Sequence, residues 1–262
     1  MRREPAVAGA FYPAEPEDLR RMVHRLLEAV PEEMAPPPVA VVAPHAGYVY
    51  SGPVAAYAFR PLAAYAGRTP VVWLLGPAHY VGFEGISTGP FTTWATPLGE
   101  VPVATDRVAR LLAAGPPFVE LAEPHLPEHS LEVELPFLQV VLGSFRIVPL
   151  LFGITDPIAA AEPIGQVLEP GDLLVVSTDL SHYHPDEVAR RIDAATLDRA
   201  LHLDAEGLLE SEACGRHPWA ALTALARARG WRPRLLAYAT SGDTSGDRRR
   251  VVGYAALRYD RP

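Results

Sequence analysis

The stretch Leu173-Leu174-Val175-Val176-Ser177-Thr178-Asp179-Leu180-Ser181-His182-Tyr183-His184 decides the fold. It opens with an apolar run of strand length, the pattern of a strand covered on both faces rather than one with a wet side. The polar residues then arrive together: a carboxylate, the hydroxyls of Ser177, Thr178 and Ser181, and two imidazoles. Two other apolar runs end the same way. Val39–Ala43 leads into Pro44-His45-Ala46-Gly47-Tyr48, and Val71–Leu75 into Gly76-Pro77-Ala78-His79-Tyr80. Helix-length segments separate the runs. Glu17–Ala29 carries Leu19, Met22, Val23, Leu26 and Leu27 on one face, and Val54–Leu62, Asp106–Ala113, Leu131–Leu142 and Pro157–Leu168 also read as helical. Two or three helices are expected between Pro185 and Arg229, a hairpin excursion over 86–103, and strands at Arg146–Phe152, Arg234–Tyr238 and Val251–Arg258. The alternation predicts a single α/β domain over residues 1–262, a mostly parallel mixed sheet with helices on both faces. Ligands of such sheets bind outside the carboxyl ends of the strands. His45, His79 and His182, with Asp179, would therefore share one rim.

Composition narrows the chemistry. The 262 residues are 49% hydrophobic and 21% charged, enough apolar material for a sizeable core. The formal charge of −8 argues against nucleic acid and anionic membranes as partners. Every basic residue is Arg, so lysine Schiff bases, a pyridoxal anchor and a P-loop lysine are excluded. Asn is absent, and the single Cys214 excludes an intrachain disulfide or a cysteine-clustered zinc site. No apolar run reaches membrane-spanning length, which leads to the expectation of a soluble, cytoplasmic protein.

Histidines and a carboxylate at one rim are the donors of non-haem iron, zinc or manganese sites, and two His with one carboxylate suit Fe(II). A metal-free acid–base site is the other reading. A lone loop histidine is ordinarily structural; three after three buried strands point to a shared site. The segment His125-Leu126-Pro127-Glu128-His129-Ser130-Leu131-Glu132-Val133-Glu134 has His at i,i+4, but Pro127 breaks a common helical face. Its simplest reading is a helix start capped by Ser130, with Glu132 and Glu134 in the first turn; the functional one brings His129 or Glu132 into the site. Cys214-Gly215-Arg216-His217-Pro218 reads as a junction between helices, with the thiol structural. Thr240–Asp247 reads as tight turns that would place Asp243 or Thr244 at the same rim, and Arg248-Arg249-Arg250 as a solvated turn.

Seven motifs in order make the chain resemble the Memo family, and within it the prokaryotic branch called AmmeMemoRadiSam system protein B. They are Pro5-Ala6-Val7-Ala8-Gly9-Ala10-Phe11-Tyr12-Pro13, the His45 and His79 loops, Thr96-Pro97-Leu98-Gly99, Glu128-His129-Ser130-Leu131-Glu132, Asp179-Leu180-Ser181-His182-Tyr183 and the Cys214 motif. The resemblance implies a fold similar to class III extradiol dioxygenases and a metal pocket of His45 and His79 lined by His182. It also implies a radical SAM protein and an AMMECR1-like protein as partners. The third ligand of eukaryotic relatives is a cysteine, and Thr244 stands at its position here. Without that thiolate the case for copper weakens.

These readings combine into one expectation. His45, His79 and Asp243 bind a divalent metal, Fe(II) first and zinc or manganese next; His182 and Asp179 serve catalysis. His129, Glu132, Thr244, Tyr48 and Tyr80 orient the ligands. The leading function is a non-haem iron enzyme acting on a small molecule. A zinc or manganese hydrolase is the alternative, and a non-catalytic cleft for a peptide or partner, walled by Trp73, Trp94, Tyr48, Tyr50, Tyr80 and Tyr183, is the third.

Overall fold

The computed structural model describes residues 1–33 and 35–262. In chain order the strands are β1 (Arg2–Arg3), β2 (Ala40–Ala43), β3 (Val71–Pro77), β4 (Ile86–Ser87), β5 (Thr93–Thr96), β6 (Gly99–Pro102), β7 (Phe118–Val119), β8 (Arg146–Phe152), β9 (Leu173–Ser177), β10 (His182–His184), β11 (Arg232–Thr240) and β12 (Val251–Asp260). The helices are α1 (Pro16–Glu28), α2 (Tyr48–Phe59), α3 (Thr105–Ala113), α4 (Leu135–Leu142), α5 (Pro157–Val167), α6 (Asp186–Leu201), α7 (Ala205–Leu208), α8 (Arg216–Arg229) and α9 (Ser241–Ser245).

The sheet is parallel at its centre and antiparallel at its flanks. Strands β2, β9, β3 and β8 lie side by side and parallel, with β12 antiparallel to β2 and β4 antiparallel to β8. The β2-to-β3 and β8-to-β9 connections cross the sheet in opposite directions. Right-handed crossovers then put α2 and α5 on opposite faces. Accordingly α2 packs with α1 and α4, while α5 packs with α8, which lies over β3 and β9. Every residue of β2, β3 and β9 is buried, as their unbroken apolar runs require.

The hairpin expected over 86–103 exists as β5 and β6, but it forms a separate three-stranded sheet with β1. Three sequence expectations need correction. Helix α4 begins at Leu135, and residues 130–134 form a turn, so Ser130 caps nothing there and Glu132 and Glu134 precede the helix. The Thr240–Asp247 stretch is not only turns: Ser241–Ser245 is a short helix closed by a capping box between Thr240 and Asp243. Trp73 and Trp94 are core residues, 0% and 1% exposed, and wall no cleft.

Candidate metal centre

The parallel strands deliver their histidines together because β2, β3 and β9 end at one rim. The donor atoms of His45, His79 and His129 all lie within 4.8 Å of one another. The His79 and His129 rings stack at 4.8 Å between centroids, and His45 stands edge-on to both. His45 is held by its backbone, whose N–H donates to Asp179 Oδ1 at 2.9 Å, and its Nδ1 lies 2.7 Å from Ser177 Oγ at the end of β9. His79 donates its backbone N–H to Glu128 Oε2 at 2.6 Å, and its Nδ1 lies 2.9 Å from Glu128 Oε1, leaving Nε2 free. The N–H groups of His129 and Ser130 donate to the same Oε1. One buried carboxylate thus fixes two of the three imidazole loops, an arrangement that orients ligands and raises their basicity.

Glycine makes the approach feasible. A Cβ at Gly76 would meet Leu131 Cδ2 at 2.7 Å and Ser130 Oγ at 2.8 Å, so the turn carrying His129 can lie against β3 only where that strand has no side chain.

The electrostatics favour unprotonated donors. Burial, with help from the neighbouring His79, pushes His45 down to about 3; burial and His45 push His129 down to about 4. Burial works against the charge of Glu128, but hydrogen bonds from His79 and from the Ser130 N–H bring it to about 2. At neutral pH His45 and His129 are therefore neutral imidazoles and Glu128 is an anion, the donor state that a divalent metal requires.

The other expected residues divide. His182 is partly buried on β10, within electrostatic reach of His45 and Asp179. Asp179 is buried, and desolvation raises its pKa; it positions the His45 loop. Tyr80 is exposed and its hydroxyl lies 3.2 Å from His129 Nδ1. Tyr183, beside His182, is also exposed and sits at φ 63°, a left-handed conformation that costs a non-glycine residue roughly 1–3 kcal/mol and recurs at functional sites.

Four expectations fail. Asp243 lies apart from the histidines: its carboxylate accepts from Arg190, Arg248 and the Thr240 N–H, and the group that could hold a metal ion is completed by His129 instead. Among the described residues, Thr244 bonds only its own helix, through the Ser241 carbonyl. Glu132 faces the N-terminal segment, accepting from Arg3, Tyr12 and the Ala6 and Val7 N–H groups. Tyr48 is buried, donating to the Val133 carbonyl.

Two residues escaped the sequence reading in part. His129 was outweighed by the capped-helix interpretation; the acid immediately before it, Glu128, was the available signal. Cys214, read as structural, lies with its sulfur 3.3 Å from His45 Nε2 and accepts from the Asp179 N–H. Burial pushes its thiol up to about 12, so it is an S–H group there rather than a reactive thiolate.

Residues 3–258 match the family model described as Memo-like protein. A MEMO1 family protein of Methanopyrus kandleri is 39% identical over 100% of both chains. One from Archaeoglobus fulgidus is 39% identical over 98% of this chain and 99% of its own. Among solved structures, an uncharacterized protein of Escherichia coli K12 aligns with 84% of this chain and 98% of its own, at 13% identity and a TM-score of 0.48.

Proposed function

The chain belongs to the Memo family, and on that premise we propose that it is a metal-dependent enzyme in which His45, His79 and His129 hold one divalent transition metal and His182 moves a proton. The convergence of three imidazoles within 4.8 Å, two kept neutral by burial and one backed by Glu128, carries this reading. A bound ion would supply Lewis-acid polarisation and a water ionised near neutral pH. Three neutral nitrogen donors leave the ion's double charge uncompensated, and three histidines with an open position are a catalytic zinc set. Hydrolysis of a small ester or amide is accordingly the leading chemistry. In it, Glu128 holds the His79 and His129 loops, Asp179 holds the His45 loop, and the exposed Tyr80 and Tyr183 flank the substrate's path.

Fe(II) redox chemistry is the second reading, and Asp179 favours it. Its buried carboxylate is close enough to influence both His129 and His182, and a carboxylate beside histidines is the Fe(II) preference. The radical SAM and AMMECR1-like proteins implied by the family are the partners to test.

The experiment is the metal content of anaerobically purified protein beside His45→Ala/His79→Ala and His129→Ala variants. Near-stoichiometric zinc lost in both, with metal-dependent ester cleavage, is the expected result. Iron lost in the same way, with oxygen uptake on catechols, would move the assignment to the second reading. No metal uptake after reconstitution would overturn both. Helices offer no membrane route: among the described residues none is long and apolar enough to span a bilayer.

A further inference from the structure

Beside the histidine cluster lies a cavity of about 240 Å3 that the metal reading does not use. It sits at the carboxyl ends of β3 and β8, with an apolar lining that includes Pro77, Phe83, Phe152 and Ile154 and with Arg216 and His217 as its basic members. Two residues join it to the histidines. Ala78, in its lining, immediately precedes His79, and Cys214 lines the cavity while its sulfur lies 3.3 Å from His45 Nε2.

Backbone contacts fix the walls. The Ile154 N–H donates to the Phe83 carbonyl at 2.8 Å, the Gly85 N–H to the Ile154 carbonyl at 2.8 Å, and the Gly153 N–H to the Gly85 carbonyl at 3.0 Å. A Cβ at Gly153 would run into the Phe83 carbonyl and ring, so the two loops meet only because that position has no side chain. Opposite them, the Gly215 N–H donates to Thr178 Oγ1 at 2.8 Å and the Cys214 N–H to the Asp179 carbonyl at 3.2 Å, which ties the start of α8 to the end of β9.

Arg216 is the first residue of α8, and its guanidinium is exposed. Other arginines of that helix have acceptors: Arg227 pairs with the Glu206 carboxylate and Arg229 donates to the Gly165 carbonyl. Among the described residues no side chain or carbonyl accepts from Arg216, and the first turn of α8 holds no acid. A cation there also opposes the partial positive charge of the helix end. Stability therefore does not account for Arg216. What an unpaired guanidinium over an apolar cavity offers is a fork for an anion that carries an apolar body. The volume suits a single ring or branched chain, since it is at the small end of ligand cavities, and excludes a nucleotide. One guanidinium balances one negative charge, which matches a carboxylate rather than a phosphate dianion.

We propose that this cavity is the recognition site of the substrate: it takes a small monocarboxylate with one aromatic or branched apolar group, whose charged end Arg216 holds while Phe83 and Phe152 cover the body, and Cys214 is the shared wall beyond which the histidines act. The inference rests on the metal reading for the chemistry it serves, but carboxylate binding at Arg216 needs no metal.

The test titrates the metal-free full chain with benzoate, neutral benzamide and phenyl phosphate, following backbone amide shifts by proton–nitrogen correlation. Benzoate should bind wild type at least about tenfold tighter than benzamide, with shifts concentrated at Gly82, Gly153 and Arg216. Arg216→Gln should weaken benzoate by about tenfold to a hundredfold, leave benzamide within a few-fold, and melt within about 2 °C of wild type. Phe83→Ala should weaken both ligands alike, by about tenfold; Arg216→Gln carries the test alone if that variant does not fold. Equal benzoate affinity in wild type and Arg216→Gln, or benzoate shifts away from the cavity, overturns the proposal. Phenyl phosphate binding more than about tenfold tighter than benzoate overturns the carboxylate assignment. Zn(II) uptake is read separately: uptake without benzoate binding overturns the cavity and keeps the metal reading, whereas Arg216-dependent benzoate binding in a protein that takes up no metal keeps the cavity and overturns the metal reading.

Discussion

Two carboxyl groups, Asp243 and Glu134, show opposite solutions to the same problem. Asp243 sits at the first turn of α9, partly exposed, and accepts from Arg190, Arg248 and the Thr240 N–H. Partial burial works against its charge, but those donors outweigh it and hold its pKa below the ordinary range. Glu134 is buried with a serine for company, and desolvation holds its pKa well above. Neither is a metal donor. The difference teaches that a carboxyl's charge state follows from the cations the fold brings to it, and the histidine cluster needs only one such anion, Glu128.

The comparison is broken most severely by taking the cation from a third buried carboxylate. Arg3 and Glu132 are both fully buried and pair at 2.5 Å, with the Arg3 guanidinium also over Trp94. Arg3→Met should cost about 3–5 kcal/mol in denaturant unfolding, because it strands a carboxylate in the core. A loss below about 1 kcal/mol would mean that the N–H and tyrosine donors suffice.

Acid should act next, through the histidines. His45, His125 and His129 have folded pKa values of about 3, 3 and 4, below the unfolded value of 6.5. Their neutral forms are fully compatible with the fold above pH 6.5, and stability is lost as pH falls from there toward 4, since the unfolded chain binds protons first. The slope amounts to about 1.4 kcal/mol per pH unit for each such histidine at most. Thermal melts of metal-free protein across that window should show it, and His125→Met should flatten it; an unchanged slope would contradict a neutral buried His125.

Smaller effects separate the two carboxyls by sign. Glu134 has a raised pKa, so wild type loses stability relative to Glu134→Gln as pH rises above 4.5, where the unfolded carboxyl ionises and the folded one does not. Asp243 has a lowered pKa, so its contribution is present above 3.8 and lost as pH falls below. Asp243→Asn should therefore cost about 1 kcal/mol or less at pH 7, converge with wild type in acid, and leave metal content unchanged. Lost metal in Asp243→Asn would return that residue to the centre. Thr244→Ala, which removes one bond within its own short helix, should stay within about 0.5 kcal/mol.

Much of this was legible in the chain. Strands β8 and β9 occupy the stretches their apolar runs marked, and His45 and His79 stand where strand ends were expected to place them. Pro127 correctly separated His125 from His129: the former packs in the core against Phe91 and Trp94, the latter enters the cluster. What misled was the turn at 130–134, read as helix because Leu131, Leu135 and Leu138 recur at helical spacing. Leu131 is buried from the turn as fully as Leu135 and Leu138 are from the helix.

The sequence by itself determined the parallel centre, the rim and two of the three imidazoles, because hydrophobic continuity and strand-end position are local properties carried by neighbouring residues. Only the tertiary structure decided the third imidazole, the company of Cys214, and which carboxyls are charged. Those depend on contacts between residues far apart in the chain: Glu128 with His79, Ser177 with Glu134, Arg190 with Asp243. No periodicity encodes such contacts, because an ionisable group answers to the dielectric and the partners around it rather than to its neighbours in sequence.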